Sequence, residues 1–232
     1  MVKKTAKVET SLVLRSCRSD MSSQNGFVWP GVGERAVCPD WIDNKNCGNG
    51  LHGWLYGQGD ATANSYLDED SKWLVVEVET ASVVMLGGKV KFPRGIVRFV
   101  GDKAGAAAYI IEHEERARSV AVIGASLIVG DGQACIVGYS GTATAGYSGT
   151  ATAGDSGTAT AGYRGTATAG YRGTATAGYS GTATAGDRGE IRVRWWDDKN
   201  ERYRTVIGYV GEDGIEPNVA YKLDDNHKLV KA

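Results

Sequence analysis

At 232 residues the chain has room for one or two domains, and 42% hydrophobic residues with six Trp are enough for a packed core. Its 26 basic and 27 acidic residues leave a formal net charge of −1, which gives no electrostatic case for a nucleic-acid or anionic-membrane partner. No apolar run approaches the roughly 20 residues of a membrane span, and MVKKTAKVETSLVLRSC has a charged start but neither a long apolar segment nor a cleavage site, so a soluble, cytoplasmic protein is expected.

Residues 1–118 are expected to form an α+β domain. Ser11–Cys17 reads as a strand, and 20–50 as a long irregular segment rich in Gly, Asn and Asp, anchored by Trp29 and Trp41. A loop of that length suggests function. Leu51–Gly57 and a short helix near Ala61–Leu67 follow. WLVVEVET, SVVMLGGKVKF and GIVRFVG then look like successive strands joined by turns at Gly87-Gly88 and Pro93-Arg94-Gly95. Asp102 can cap a helix from Lys103 to about Arg118, with Ala104, Ala107, Ala108 and Ile111 on one face. That helix and two apolar strands, SVAVIG and ASLIVG, are placed to cover the N-terminal end of the array that follows.

Candidate chemistry in this region is sparse. Arg15 on the first strand, CGNGLHGWLYG followed by Tyr66, and Glu77 or Glu79 on a later strand resemble in outline the split nicotinamide pocket of ADP-ribosyltransferases. That resemblance implies a transferase. The alternative is that Arg15, Glu77 and Glu79 are solvent-side residues of alternating strands and that His52 is a packed or surface histidine. Gly87-Gly88-Lys89 lacks the spacing of a phosphate loop. Cys17, Cys38, Cys47 and His52 have the softness and number of a zinc set, but their spacing matches no common finger, so neither a metal nor another cofactor is assigned. Four cysteines in a cytosolic chain are most simply reduced, and Cys135 reads as a buried apolar thiol.

From Gly138 to Ala185 one eight-residue phrase occurs six times: GYSGTATA twice, GDSGTATA, GYRGTATA twice, then GYSGTATA. Each octad reads as a turn, GYSG, whose glycines supply permissive backbone, and a strand, TATA, alternating at period two. A flexible Gly/Ser/Thr/Ala linker is the alternative, but the phase continues into both flanks. In GDRGEIRV, Ile191 and Val193 fall on Ala positions and Glu190 and Arg192 on Thr positions. In GDGQACIV, Cys135 and Val137 fall on Ala positions. Ala therefore points in and Thr out; Ala134 and Ile136, on Thr positions, suggest that a neighbouring segment covers that end.

Two octads can close a flattened coil around a thin Ala core, and eight would make about four sixteen-residue coils of a β-solenoid stacked at ~4.8 Å. One broad face would carry Thr142, Thr144, Thr158, Thr160, Thr174 and Thr176, the other Thr150, Thr152, Thr166, Thr168, Thr182 and Thr184. In such a grid the hydroxyls lie about 6.7 Å apart along a strand and about 4.8 Å between coils. It can order a water layer. Tyr147, Tyr163 and Tyr179 would line one edge after Asp131. On the other, Tyr139, Asp155, Tyr171 and Asp187 alternate beside Arg172 and Arg188.

AGYSGTATAGYSGTATAG resembles the central repeats of bacterial ice-nucleation proteins, whose phrase AGYGSTxT also joins a tyrosine corner to an outward Thr-x-Thr strand in sixteen-residue coils. The likeness runs from Gly138 to Val193. It implies water-ordering Thr rows and a Tyr ladder that pairs with a second copy, here Tyr147, Tyr163 and Tyr179. Two departures stand out: Ser-Gly or Arg-Gly replaces Gly-Ser, and four coils replace dozens. Over the whole chain the sequence looks like uncharacterised bacterial and phage GTATAG-repeat proteins, which imply no activity.

After the array, IRVRWWDDKNERYRTVIGYV reads as a hairpin with its turn at Asp197–Asn200, and VAYKLDDNHKLV as a second with its turn at Asp224–His227. Trp195, Trp196, Tyr203 and Val206 would pack as a cap. The expected architecture is thus a mainly β chain: an α+β domain over 1–118 with its helix near 103–118, a β-solenoid over 119–193, and a β-hairpin cap over 194–232. The expected function is non-enzymatic: weak ice or ordered-water binding, with homodimerisation through the Tyr edge. The alternatives are a bacterial or phage scaffold whose N-terminal domain holds the partner site, and a transferase.

Overall fold

In the computed structural model, which describes residues 8–62 and 64–232, the chain divides between Val120 and Ala121 into two units. The first is built on strands β1 (Thr10–Cys17), β2 (Arg35–Val37), β3 (Leu51–Leu55), β4 (Lys72–Glu79), β5 (Val84–Met85), β6 (Val90–Phe92) and β7 (Arg94–Gly101). They form one antiparallel sheet in the order β2-β7-β4-β1-β3-β6-β5. Only Pro93 separates β6 from β7, yet they stand sixth and second in that order, so the sheet must curl round on itself. Pro93-Arg94-Gly95 is therefore no hairpin turn, contrary to the sequence reading. Gly87-Gly88 does turn β5 into β6, with Leu86 N donating to Lys89 O at 2.9 Å.

Period-two alternation gives the sheet two buried faces. Val13 of β1 with Leu74, Val76 and Val78 of β4 joins Trp29, Cys38, Leu51, Phe92 and Val97 in one core. Helix α1 (Lys103–His113) packs on β1, β4 and β7. Asp102 caps it as expected, its Oδ1 accepting Gly105 N at 2.7 Å. The buried residues are Ala106, Ala107 and Ile110, whereas Ala104 and Ala108 are exposed. The helix also stops five residues before Arg118. Extended backbone at Glu114 carries its carboxylate into a buried cluster, and a 3-10 turn, Glu115–Ser119, follows.

No helix forms among the described residues of 61–67. Asp60 Oδ1 takes both Thr62 N (2.9 Å) and Thr62 Oγ1 (2.6 Å), and Asn64 Oδ1 accepts Tyr66 N at 3.1 Å. Such side-chain turns compete with helical bonding. No helix among the described residues is long and apolar enough to cross a membrane.

The second unit is the β-solenoid. Its rungs are β8 (Ser126–Val129), β9 (Ala134–Val137), β10 (Thr142–Ala145), β11 (Thr150–Ala153), β12 (Thr158–Ala161), β13 (Thr166–Ala169), β14 (Thr174–Ala177) and β15 (Thr182–Ala185), then β16 (Glu190–Asp197). Even rungs pair in parallel with even and odd with odd, sixteen residues apart and in register, as Thr142↔Thr158↔Thr174 illustrates. The coil is therefore two octads long, and the coils number about four. They begin one octad before the imperfect copy at Gly130: Ser126 pairs with Thr142, and Val122–Ala125 forms the corner before it. SVAVIG is thus a corner and not a covering strand.

Two hairpins end the array. β17 (Arg202–Tyr209) adds antiparallel to β16, and β18 (Ala220–Leu223), paired with β19 (Leu229–Lys231), adds antiparallel to β15. Antiparallel closure stops the parallel ladder and blunts its edges. The cap interior, however, is Ile191, Val193, Val210, Ile215 and Tyr221. Trp196 and Tyr203, expected there, are 40% and 51% exposed, because β16 and β17 run four residues past the last coil. Trp195 instead stacks on His227, at 3.6 Å between ring centres.

Candidate functional site

Two flat faces of threonine dominate the solenoid, and their regularity originates at the corners. Every eighth residue from Gly124 to Arg188 has positive φ: Gly124, Gly132, Ser140, Ser148, Ser156, Arg164, Arg172, Ser180 and Arg188. The left-handed residue is thus Ser or Arg in the repeats, with both glycines at ordinary φ. The glycines answer a different need, close approach of coils. A Cβ on Gly162 would lie 2.8 Å from Gly146 C and O, and one on Gly165 2.9 Å from Gly149 O. From Gly124 to Arg172 each left-handed N–H then donates to the next coil, as Ser148 N does to Tyr163 O at 2.8 Å.

With corners stacked, TATA strands face one way throughout. Ala143, Ala151, Ala159, Ala167, Ala175 and Ala183 are fully buried, and the threonines alternate outward. The structure places Thr142, Thr144, Thr158, Thr160, Thr174 and Thr176 on the sheet of β10, β12 and β14. Thr150, Thr152, Thr166, Thr168, Thr182 and Thr184 lie on the sheet of β11, β13 and β15. Each face is three rows deep.

Sequence reading missed the start of the first face. Ser126 and Ile128 continue the first face at its start, and Ile128 is 80% exposed. At the other end Glu190 and Arg192 occupy the Thr positions and pair with each other at 2.6 Å. On the second face Ile136 is exposed, so no segment among the described residues covers it. The register of Gly124 with Gly132 is the signal that reveals the extra rung.

The edges differ as expected. Tyr147, Tyr163 and Tyr179 form an exposed stack with ring centres 5.5 and 5.6 Å apart. Asp131 precedes it and accepts Tyr147 N at 2.7 Å; on the opposite edge Asp155 accepts Tyr171 N at 2.9 Å. These aspartates cap the backbone of the next coil where a tyrosine would only stack.

In the N-terminal unit Arg15, His52 and Tyr66 line one cavity. Glu77 and Glu79 do not join them. In the β1–β4 register Arg15 pairs with Leu74 and Leu12 with Glu77, so alternation puts both glutamates on the other face. They pair with Arg98 and Arg94. Burial, then the nearby Lys89 and Arg15, push the His52 pKa down to about 4, keeping the ring neutral. Among the described residues no three His, Cys, Asp or Glu side chains cluster as a metal site requires. Cys17, Cys38, Cys47 and His52 are not brought together as one cluster, and burial raises the Cys17 thiol to about 11. All four cysteines are free.

A parallel two-sheet coil with an Ala core, outward Thr rows and a tyrosine edge defines the class: a β-solenoid repeat protein. Its sequence is similar to proteins named ice nucleation protein. The chain is 38% identical over 109 residues to an ice nucleation protein of Pseudomonas fluorescens, 46% of this chain and 9% of that one. It is 35% identical over 111 residues to ice nucleation protein InaU of Pantoea ananas, 46% of this chain and 10% of that one. It is 36% identical over 105 residues to an ice nucleation protein of Pseudomonas syringae, 44% of this chain and 9% of that one. The chain thus spans about a tenth of the length of these relatives. Residues 11–112 match a family described as a Domain of unknown function (DUF7666). No solved structure matches.

Proposed function

We propose that the Thr faces order water and bind ice weakly. The observation that carries this reading is the in-register stacking of Thr-Ala-Thr strands into two flat hydroxyl-and-methyl grids, supported by relatives named ice nucleation protein. A face of three rows is only about 14 Å long at ~4.8 Å per coil. That is short for templating a crystal embryo, so adsorption to existing ice is the expected activity. A single ice crystal grown in the protein should facet. One lysine in the middle row of each face, Thr158→Lys with Thr166→Lys, should return it to the rounded disc seen in buffer while circular dichroism stays unchanged. Faceting retained by the variant, or absent with the wild type, would refute the reading.

The exposed tyrosine stack is a surface for a second copy, since it presents aligned aromatic area at one edge. Sedimentation should find a wild-type dimer and a monomer for Tyr147→Ala/Tyr163→Ala/Tyr179→Ala; a wild-type monomer would end this idea. Four free thiols suit a reducing, cytoplasmic setting.

A further inference from the structure

We propose that the cavity of the N-terminal unit binds a small organic oxyanion, carboxylate or phosphate, with the Arg15 guanidinium as its partner and the ligand's ring among the aromatic walls. The inference stands apart from the Thr faces. The cavity encloses about 630 Å³, within the range of roughly 300–1,000 Å³ for small-molecule sites.

Arg15 leaves β1 on the core face, where its guanidinium carbon lies 5.9 Å from the Trp29 ring centre and 5.8 Å from that of Tyr66. Rings engage a cation but accept none of its hydrogen bonds. Arg15 Nε is buried without a hydrogen-bond partner, and so is Trp29 Nε1. Both belong to residues that line the cavity. Among the described residues no carboxylate is ion-paired with Arg15. The two acidic residues of the lining are engaged elsewhere: Asp40 accepts Asn49 Nδ2 at 2.8 Å, and Asp60 accepts Thr62. Desolvation accordingly pulls the Arg15 pKa below the ordinary arginine value. A cation whose buried Nε–H has no acceptor is costly until one arrives, and the planar fork matches a carboxylate or phosphate.

The wall is built before any ligand arrives. Fully buried Lys91 donates to Asn44 Oδ1 (2.8 Å), Asn46 O (2.9 Å) and Gly48 O (3.3 Å) beneath the Trp41 ring, fixing the 44–48 loop. His52 is neutral, so Arg15 and Lys89 are the cations of the lining. Phe27 and Trp54 complete an aromatic enclosure with Trp29 and Tyr66. Such a pocket takes a planar ring bearing one anionic group.

The test is titration of the full-length protein with benzoate, phenyl phosphate and neutral benzamide, followed by the NMR signals of Arg15 Nε–H and Trp29 Nε1–H. Benzoate or phenyl phosphate should bind and move both signals, the tighter of the two telling carboxylate from phosphate. Benzamide, and either anion with Arg15→Gln, should bind about 10- to 150-fold more weakly, the worth of hydrogen bonds to a charged group. Equal binding of benzamide and benzoate by the wild type would overturn the proposal even if the variant fails to fold. So would wild-type affinity in a folded Arg15→Gln protein, or no movement of either signal at about 10 mM of both anions.

Discussion

Gly178→Ala is expected to destabilise the solenoid by about 3 kcal/mol or more, at the upper end of overpacking costs. A Cβ there would sit 2.5 Å from Gly162 C, 2.6 Å from Gly162 O and 2.7 Å from Tyr163 N. All three are backbone atoms of the coil below, so no side chain can swing aside; the coils themselves must part. Two residues on, Ser180 holds φ +59°, a region that glycine enters without strain. Ser180→Gly should therefore be neutral or slightly stabilising, though it also adds a glycine. Chemical denaturation of the two variants checks this. A Gly178→Ala protein as stable as the wild type would mean the coils are not packed at this spacing.

The second large effect is expected at Glu114. Its buried carboxylate accepts Leu12 N at 3.2 Å and binds Arg116 through Nε at 2.6 Å and Nη2 at 2.9 Å. Arg116 also reaches Thr10 O (2.7 Å) and Glu9 (3.0 Å), tying the start of β1 to the end of α1. Desolvation alone would raise the Glu114 pKa, but the bonds from Arg116 and Leu12 outweigh it and hold the group below the ordinary glutamate value. A carboxyl depressed in the folded state contributes stability above its unfolded pKa, about 4.3, and that stability is lost as pH falls through the folded value. Glu114→Ala should cost about 2–4 kcal/mol at neutral pH. Its stability should also fall less steeply than that of the wild type on acidification below about pH 4.3. Parallel pH profiles for the two proteins would show that Glu114 is not a linked group.

Much of the solenoid was legible because its repeats are flanked by imperfect copies. Ile191 and Val193 on Ala positions, against Glu190 and Arg192 on Thr positions, reveal which side is buried, and the octad length alone demands two per coil. The corner was legible only as permissive backbone: its two glycines let coils approach, and Ser or Arg between them takes the positive φ. The first rung escaped because VIGASLIV lacks the Thr-Ala alternation and places Ile128 outward, against the usual burial of isoleucine.

In the N-terminal unit the strands were readable from their alternation, but their neighbours were not. Long-range order depends on the curl that brings β6 and β7 to distant places in one sheet across a single proline. Without that order, Arg15 looks equally able to meet Glu77 or to avoid it; the β1–β4 register decides. The cavity arises where loop residues such as Trp29 and Tyr66 meet Arg15 of β1 and His52 of β3, a meeting that no period announces.

The central claim is that the Thr grids adsorb to ice, and partition into a slowly growing ice front measures it most directly. Purified wild type and the Thr158→Lys/Thr166→Lys variant would be frozen slowly under stirring, and protein measured in the ice and the remaining liquid. Enrichment of the wild type in the ice, with the variant left in the liquid, is the predicted result. Exclusion of the wild type from the ice would contradict the account.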